Sequence, residues 1–402
     1  MKVKIIIFMI LLVINISYSQ AQDTGVDNIV GKTYTLMSEA LKESREIKIY
    51  LPDGYDKSDK KYPVLYILDG QKFFIYGVSL QQLFNFRKYT PDFIVVGITN
   101  AYPQRFRHFK SGTAKFINFI EKDVIGYVDE NFRTSQTRIL FGWEYAGALV
   151  VQLMTDVPEL FNAYIAASPF PINSKDSKDN RLNRFRHMLF KTPKSDRFFY
   201  FSVAQDEGMV KDGTNDLNTM LLEKPPKTMD WHYKILVDEE HTSTPFSTLF
   251  QGIKKYYATY PELQFKNLEK YHQAGGMKYI EDYHKQRAQK YGFPPELTSW
   301  TKFTLIRNAM RADDFNQFEI FMKAFNSETF IVGLRGTRPY GIAEYYEKHK
   351  KFNKAIDIYN LLMENNPDLA QPLKSLGDLY TLLKDRNKAD EYYEKAEKLN
   401  VE

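Results

Sequence analysis

The chain has 402 residues, 43% of them apolar and 26% charged, which is ordinary for a globular protein large enough for one big domain and a smaller one. The formal charge of +5 includes Lys2 and Lys4, and basic and acidic residues alternate throughout, so no one-sided basic face points to a nucleic acid. The absence of cysteine excludes disulfides, thiolate metal sites, a cysteine nucleophile and a lipidated N-terminal Cys.

Residues 1–19, MKVKIIIFMILLVINISYS, combine a short basic start, a continuous apolar run and the small residues Ser17 and Ser19. This pattern predicts a secretory signal cleaved before Gln20, with an uncleaved anchor as the alternative. The apolar run is shorter than the ~20 residues of a spanning helix. No later segment is apolar enough to span a bilayer. An exported chain without cysteine fits a periplasmic or secreted protein of a Gram-negative bacterium.

From Lys32 to Tyr260, strand-like and helix-like segments alternate. REIKIYLP (45–52) alternates apolar and polar residues, as a half-buried strand does. YPVLYILDG, DFIVVGI, RILFG, AYIAAS, FFYFSVA and HYKILV are short and nearly all apolar, as strands covered on both faces must be. Between them, residues 112–132 place Phe116, Phe119, Ile120, Val124 and Val128 on one helical face. The alternation predicts an α/β domain over 20–266 with a doubly wound, mostly parallel sheet.

Strand signals stop near Asn267. FNKAIDIY (352–359) returns as RNKADEYY (386–393), an offset of thirty-four residues that also relates Tyr346 to Tyr380 and Ala355 to Ala389. That is the period of tetratricopeptide helix pairs, with Pro367 after the second helix. DFNQFEIF (314–321) is a looser copy. The expected layout is a helical linker with a degenerate repeat over 267–334, a joint at Arg335–Tyr340, and tetratricopeptide-like repeats over 335–402. So few repeats cannot bury a core alone, so they are expected to lean on the α/β domain and to offer a protein partner a surface. A plain helical hairpin is the alternative.

The stretch RILFGWEYAGALVVQL (138–153) reads as a buried strand, a tight turn between small residues and a helix. That is the grammar of the nucleophile elbow, where a serine sits in the middle of G-x-S-x-G. Here the middle residue is Glu144.

REIKIYLPDGYDKSDKKYPVLYILDG, GTAKFINFIEKDVIGYVDENFRT, RILFGWEYAGALVVQLMTDVPELFNAYIAASP and DEEHTSTP together resemble, in order and spacing, the serine-esterase family of α/β-hydrolases that includes enterobactin esterases and S-formylglutathione hydrolases. Secreted members of that family often carry a tetratricopeptide-like tail. The resemblance implies an elbow G-H-S-x-G-G matched by Gly142, Trp143, Glu144, Ala146 and Gly147. It places the catalytic histidine at His241 in HTSTP and the triad acid after FFYFSVA, where Asp206 and Glu207 compete and Asp206 is favoured. It implies an oxyanion hole from the N–H groups of Tyr145 and of Gly70 or Gln71, and a small-molecule ester-type ligand. Every part is present except the nucleophile.

A carboxylate has no proton to give the histidine and is a poor nucleophile toward esters. Asp nucleophiles in α/β-hydrolase relatives attack alkyl carbon, and Glu is one methylene longer than the ~3–3.5 Å positioning of reacting atoms tolerates easily. At a helix N-terminus, Glu144 is expected to reach the oxyanion-hole amides and occupy them itself. The reading is therefore an impaired, ligand- or partner-binding pseudo-hydrolase. The alternative is a hydrolase that uses Glu144 as base or nucleophile with His241. Ser168 and Ser243 are the nearest other serines, but neither lies in an elbow.

Arg105 and Arg107 fall where the family has N-x-x-R-x-R-D, and with Trp143 they are candidates for holding substrate, although His108 departs from that pattern. Phe73, Phe74, Tyr76, Phe84 and Phe86 either wall a cleft or fill a core. A metal held by Glu144, Asp206 and His241 is chemically open but rare in this fold, and no metal is expected. No phosphate loop or dinucleotide fingerprint is present, so no cofactor is expected.

Overall fold

The computed structural model describes residues 25–172, 181–188, 196–325 and 327–399. The expected signal segment and its cleavage point lie outside the described residues. Eight strands form one sheet in the order β1-β2-β4-β3-β5-β6-β7-β8. These are β1 (Lys32–Ser38), β2 (Glu43–Tyr50), β3 (Tyr62–Leu68), β4 (Ile94–Ile98), β5 (Thr134–Trp143), β6 (Ala163–Ala167), β7 (Arg197–Ala204) and β8 (Met229–Leu236). β1 and β2 form an antiparallel hairpin and β2 runs antiparallel to β4, while every pair from β4 onward across the sheet is parallel. The doubly wound, mostly parallel sheet is as the sequence predicts. β1 has no strong apolar run of its own and is supplied by pairing with β2.

Side-chain alternation divides the core into two layers. Val64, Tyr66 and Leu68 of β3 and Phe199 and Phe201 of β7 enter the layer covered by the helical run 113–131 and by the helices Tyr145–Asp156 and Met209–Glu223. Leu65 and Ile67 of β3 and Phe198 and Tyr200 of β7 enter the opposite layer, under the helices Gly70–Phe86 and Thr244–Tyr256. All five residues predicted on one face of 112–132 are fully buried. Of the candidate cleft aromatics, Phe73, Phe74 and Phe84 are buried core and Phe86 is 77% exposed.

Beyond Asn267 the described residues form helices and loops, with no strand among them. Ser299–Arg311 with Phe315–Ala324, Arg338–Lys348 with Phe352–Asn365, and Ala370–Leu382 with Arg386–Leu399 make three successive pairs. The thirty-four-residue offset marks where they touch. Ala309, Ala343 and Gly377 share one register position, and Phe325, Tyr359 and Tyr393 share another. At Gly377 a Cβ would meet the Tyr393 ring at 2.5 Å, so the ring lies on the glycine. Tyr346 and Tyr359 are buried, and Tyr380 packs at the edge of the same cluster.

The repeats bury an apolar cluster of their own, which the expectation that so few units cannot form a core did not foresee. They share a separate apolar cluster running from Leu268 to Leu379. Contact with the sheet domain comes from Thr301 and Asn308, which donate to the Leu263 and Phe265 carbonyls, and from the helix Gly276–Tyr291. Its Tyr283 hydroxyl, Arg287 Nε and Lys290 Nζ donate to the carbonyls of Pro261 (2.8 Å), Tyr260 (2.8 Å) and Tyr256 (2.9 Å).

Candidate active site

Five strands deliver the site from one edge of the sheet. β3, β5, β6, β7 and β8 run parallel, so their carboxyl ends carry Asp69, Glu144, Ser168, Glu207 and His241 to the same side, where ligands of open α/β sheets bind.

The elbow forms as its small residues predict. Glu144 has φ 59° and ψ −120°, a backbone conformation that costs a non-glycine residue about 1–3 kcal/mol. Its N–H donates to the Ala167 carbonyl at 3.0 Å, and its carbonyl accepts from Ala148 at 2.9 Å and from Phe170 at 3.1 Å. The sharp turn needs Gly142 and Gly147, where a Cβ would meet the Ala146 carbonyl oxygen at 2.5 Å and that of Ala167 at 2.8 Å.

The Glu144 carboxylate does not settle on amides. It makes no capping hydrogen bond to the helix Tyr145–Asp156, contrary to the expectation that it fills an oxyanion hole. Oε2 instead lies 3.1 Å from Arg105 Nη1. Arg105 Nε also donates to both carboxylate oxygens of Asp69, at 2.9 and 3.0 Å, and its Nη2 reaches the Trp143 carbonyl at 3.5 Å. Asp69 is fully buried. Burial pushes its carboxyl up, and Arg105 opposes that shift. Glu144, Arg105 and Asp69 thus form an ion trio behind the elbow.

Arg105, buried and committed to two carboxylates, is not a free anion-binding arm. Arg107 is not free either, since its Nη2 lies 3.2 Å from Glu43 of β2. His108, at the position where the resemblance expects Asp, is buried against Asn100 Oδ1 at 2.9 Å, and desolvation with the nearby Arg45 pushes it down to about 4. Trp143 is buried against the histidine loop. Its Nε1 donates to the His241 carbonyl at 3.0 Å, and its ring centroid lies 4.8 Å from the imidazole's.

The carboxylate facing His241 is Glu207, not Asp206. Glu207 Oε1 and His241 Nδ1 form a short hydrogen bond. Glu207 Oε2 accepts from Ser168 Oγ at 2.7 Å and from the Ala204 N–H at 2.5 Å. The chain turns sharply after β7, so the longer side chain three residues past the strand end folds back over it while Asp206 stays exposed. Burial alone would raise the Glu207 carboxyl, but the hydrogen bonds from His241, Ser168 and the Ala204 amide outweigh it and hold it low. The hydrogen bond to Glu207 lifts the imidazole, against its partial burial, and the charges of Glu207 and Glu144 add to the rise. Ser168 is fully buried between Glu207 and Thr244, so it is no substitute nucleophile.

Tyr145, Gly70 and Gln71 open two helices, where the first N–H groups have no intrahelical acceptor. The Gln71 side chain pins the loop by accepting from the Asn100 N–H at 2.9 Å and donating to the Asn100 carbonyl at 3.2 Å. A cleft of about 660 Å³ opens beside Glu144, Glu207 and His241, with Phe170 and Met209 on its apolar side. Among the described residues, no three His, Cys, Asp or Glu side chains converge to hold a metal ion.

The sheet order and the elbow define an α/β-hydrolase fold with a glutamate at the nucleophile position. Residues 38–253 match the family described as "Putative esterase", and the chain belongs to that family. No curated protein matches the chain. Among solved structures, the IroE-like serine hydrolase from Shewanella oneidensis is similar at 21% identity and a TM-score of 0.54, over 73% of this chain and 98% of its own. An uncharacterised protein from Capnocytophaga ochracea is 16% identical with a TM-score of 0.57, over 91% and 93%, so that likeness in fold extends into the helical region. The BES protein from Bacillus cereus is 18% identical with a TM-score of 0.50, over 58% and 98%. No described helix is long and apolar enough to cross a membrane.

Proposed function

We propose that this esterase-family protein is exported and has given up ester hydrolysis. In this reading it is a pseudo-hydrolase that binds a small ester-like ligand in the cleft beside Glu144. The observation that carries the reading is the Glu144–Arg105 ion pair. A carboxylate held by a buried guanidinium is neither a proton-donating alcohol nor a strong nucleophile, so the acyl-enzyme route has no first step. The helical repeats, with a core of their own, would offer a protein partner a second surface.

A second reading is favoured by the intact histidine relay. Ser168, the Ala204 amide and Trp143 still orient Glu207 and His241, as a working base requires. Here His241 takes a proton from water as its oxygen attacks the ester carbonyl. The tetrahedral intermediate then expels the alcohol, which takes that proton back from His241, and Glu144 supplies only charge that favours the imidazolium.

Hydrolysis of a panel of activated esters by the wild type and by His241→Ala separates the readings. No turnover above the His241→Ala background supports the pseudo-hydrolase. Turnover lost with His241 overturns it in favour of water activation.

A further inference from the structure

The cleft also carries information about what it binds, an inference that rests on the binding reading above. Five of its lining side chains are carboxylates, namely Glu144, Asp206, Glu207, Glu239 and Glu240, and no Lys or Arg lines it. Two of the five are compensated, Glu144 by Arg105 and Glu207 by His241. Asp206, Glu239 and Glu240 have no ion pair among the described residues, and Glu239 is held by the hydroxyls of Ser243 and Ser247. They stand on the two loops that follow β7 and β8, on the side of the cleft nearest His241.

The rest of the lining is largely apolar, with Phe170, Met209 and Val210 beside the carboxylates. Phe170 lines the cleft and meets the Tyr145 ring edge-on at 6.0 Å, and Tyr145 meets Phe106 at 5.5 Å. Met209, 76% exposed, completes the apolar rim. A volume of about 660 Å³ suits a drug-sized organic molecule rather than an ion. Among the described residues no three of these side chains converge, so a bare metal ion would find too few oxygens. A bulky organic cation suits such a lining, where diffuse negative charge lies beside an aromatic ring and a thioether.

We propose that the cleft takes an organic cation, a quaternary or alkylated ammonium group carried on an apolar body. An anionic ligand would meet three uncompensated carboxylates and is disfavoured by the same field.

The test is calorimetric titration of the full chain with three probes of similar shape, namely benzyltrimethylammonium, benzyl alcohol and benzoate. Benzyltrimethylammonium should bind at least about tenfold tighter than benzyl alcohol, and benzoate weakest. The exposed double variant Asp206→Asn/Glu240→Gln should lose most of that advantage while melting at the wild-type temperature. Raising salt from about 0.05 to about 0.3 M should weaken the cation alone. Equal or tighter binding of benzyl alcohol or benzoate, or an advantage that survives the double variant and salt, overturns the proposal. Esterase turnover in the same samples reports separately on the pseudo-hydrolase reading, so a failure of either is distinguishable from a failure of the other.

Discussion

Glu144 Oε2 and Arg105 Nη1 stand 3.1 Å apart, joining the elbow to a buried guanidinium that also holds Asp69 at the mouth of β3. The residue at the nucleophile position is therefore part of an electrostatic brace and is not a loose carboxylate in an open hole. Truncating either end of the brace has calculable consequences.

Arg105→Met removes the counter-ion of a carboxylate with no solvent exposure. Breaking a buried pair by removing one partner costs about 3–5 kcal/mol, because the remaining charge is left uncompensated. Chemical denaturation should show a loss of that order. Arg105→Met/Asp69→Asn should recover a large part of it, since the orphaned charge is gone. A single variant within about 0.5 kcal/mol of wild type, the ordinary scatter of surface substitutions, would show that the trio is not a stability element.

Glu144→Ser restores an alcohol at a position whose φ of 59° is already that of the elbow. Slow, His241-dependent hydrolysis of p-nitrophenyl acetate should appear. The wild type should not exceed the ~10³–10⁴-fold over water that remains when a triad member is missing. A variant as inert as the wild type would show that Trp143 and Ala146 misplace the attack.

The His241–Glu207 pair sets a pH dependence. Glu207 is depressed below its ordinary 4.5, so its contribution to stability is present above that value and is lost as pH falls through the folded value. His241 is raised above its ordinary 6.5, so its contribution is present below that value and is lost as pH rises through the folded value. The stability difference between wild type and Glu207→Gln should therefore peak between about pH 4.5 and 6.5 and shrink on both sides. An NMR titration should show His241 raised in the wild type and returned toward its ordinary value in Glu207→Gln. An unchanged imidazole titration would mean that the hydrogen bond does not set it.

Deleting the chain from Arg335 onward removes Ile342, Tyr346, Tyr359, Leu362 and Leu376 from the tail cluster and strips cover from Phe318, Phe321 and Met322. The truncated protein should bind a hydrophobic dye and aggregate, while the sheet domain, which has its own two core layers, keeps its secondary structure. A monodisperse truncation with an unchanged melting curve would show the last repeats to be an appendage.

The sequence by itself determined the parallel sheet, the elbow, the histidine loop and the helical tail. Each of these depends on short-range pattern: apolar runs for doubly covered strands, Gly142 and Gly147 where a Cβ would strike backbone, and a thirty-four-residue repeat of small and aromatic positions. Which acid meets His241 was not legible, because the turn after β7 breaks the side-chain alternation that would rank Asp206 against Glu207. A sharp turn that leaves room for a longer carboxylate to reach back to the Ala204 N–H was the only available hint. The fate of Arg105 was hidden for a different reason. Its partners lie thirty-six and thirty-nine residues away in sequence, and only the parallel alignment of β3 and β5 brings Asp69 and Glu144 to one guanidinium. Charge pairing across a sheet edge is a property of strand order, so the tertiary structure alone decided that Glu144 would be braced by Arg105 and would leave the helix amides without its carboxylate.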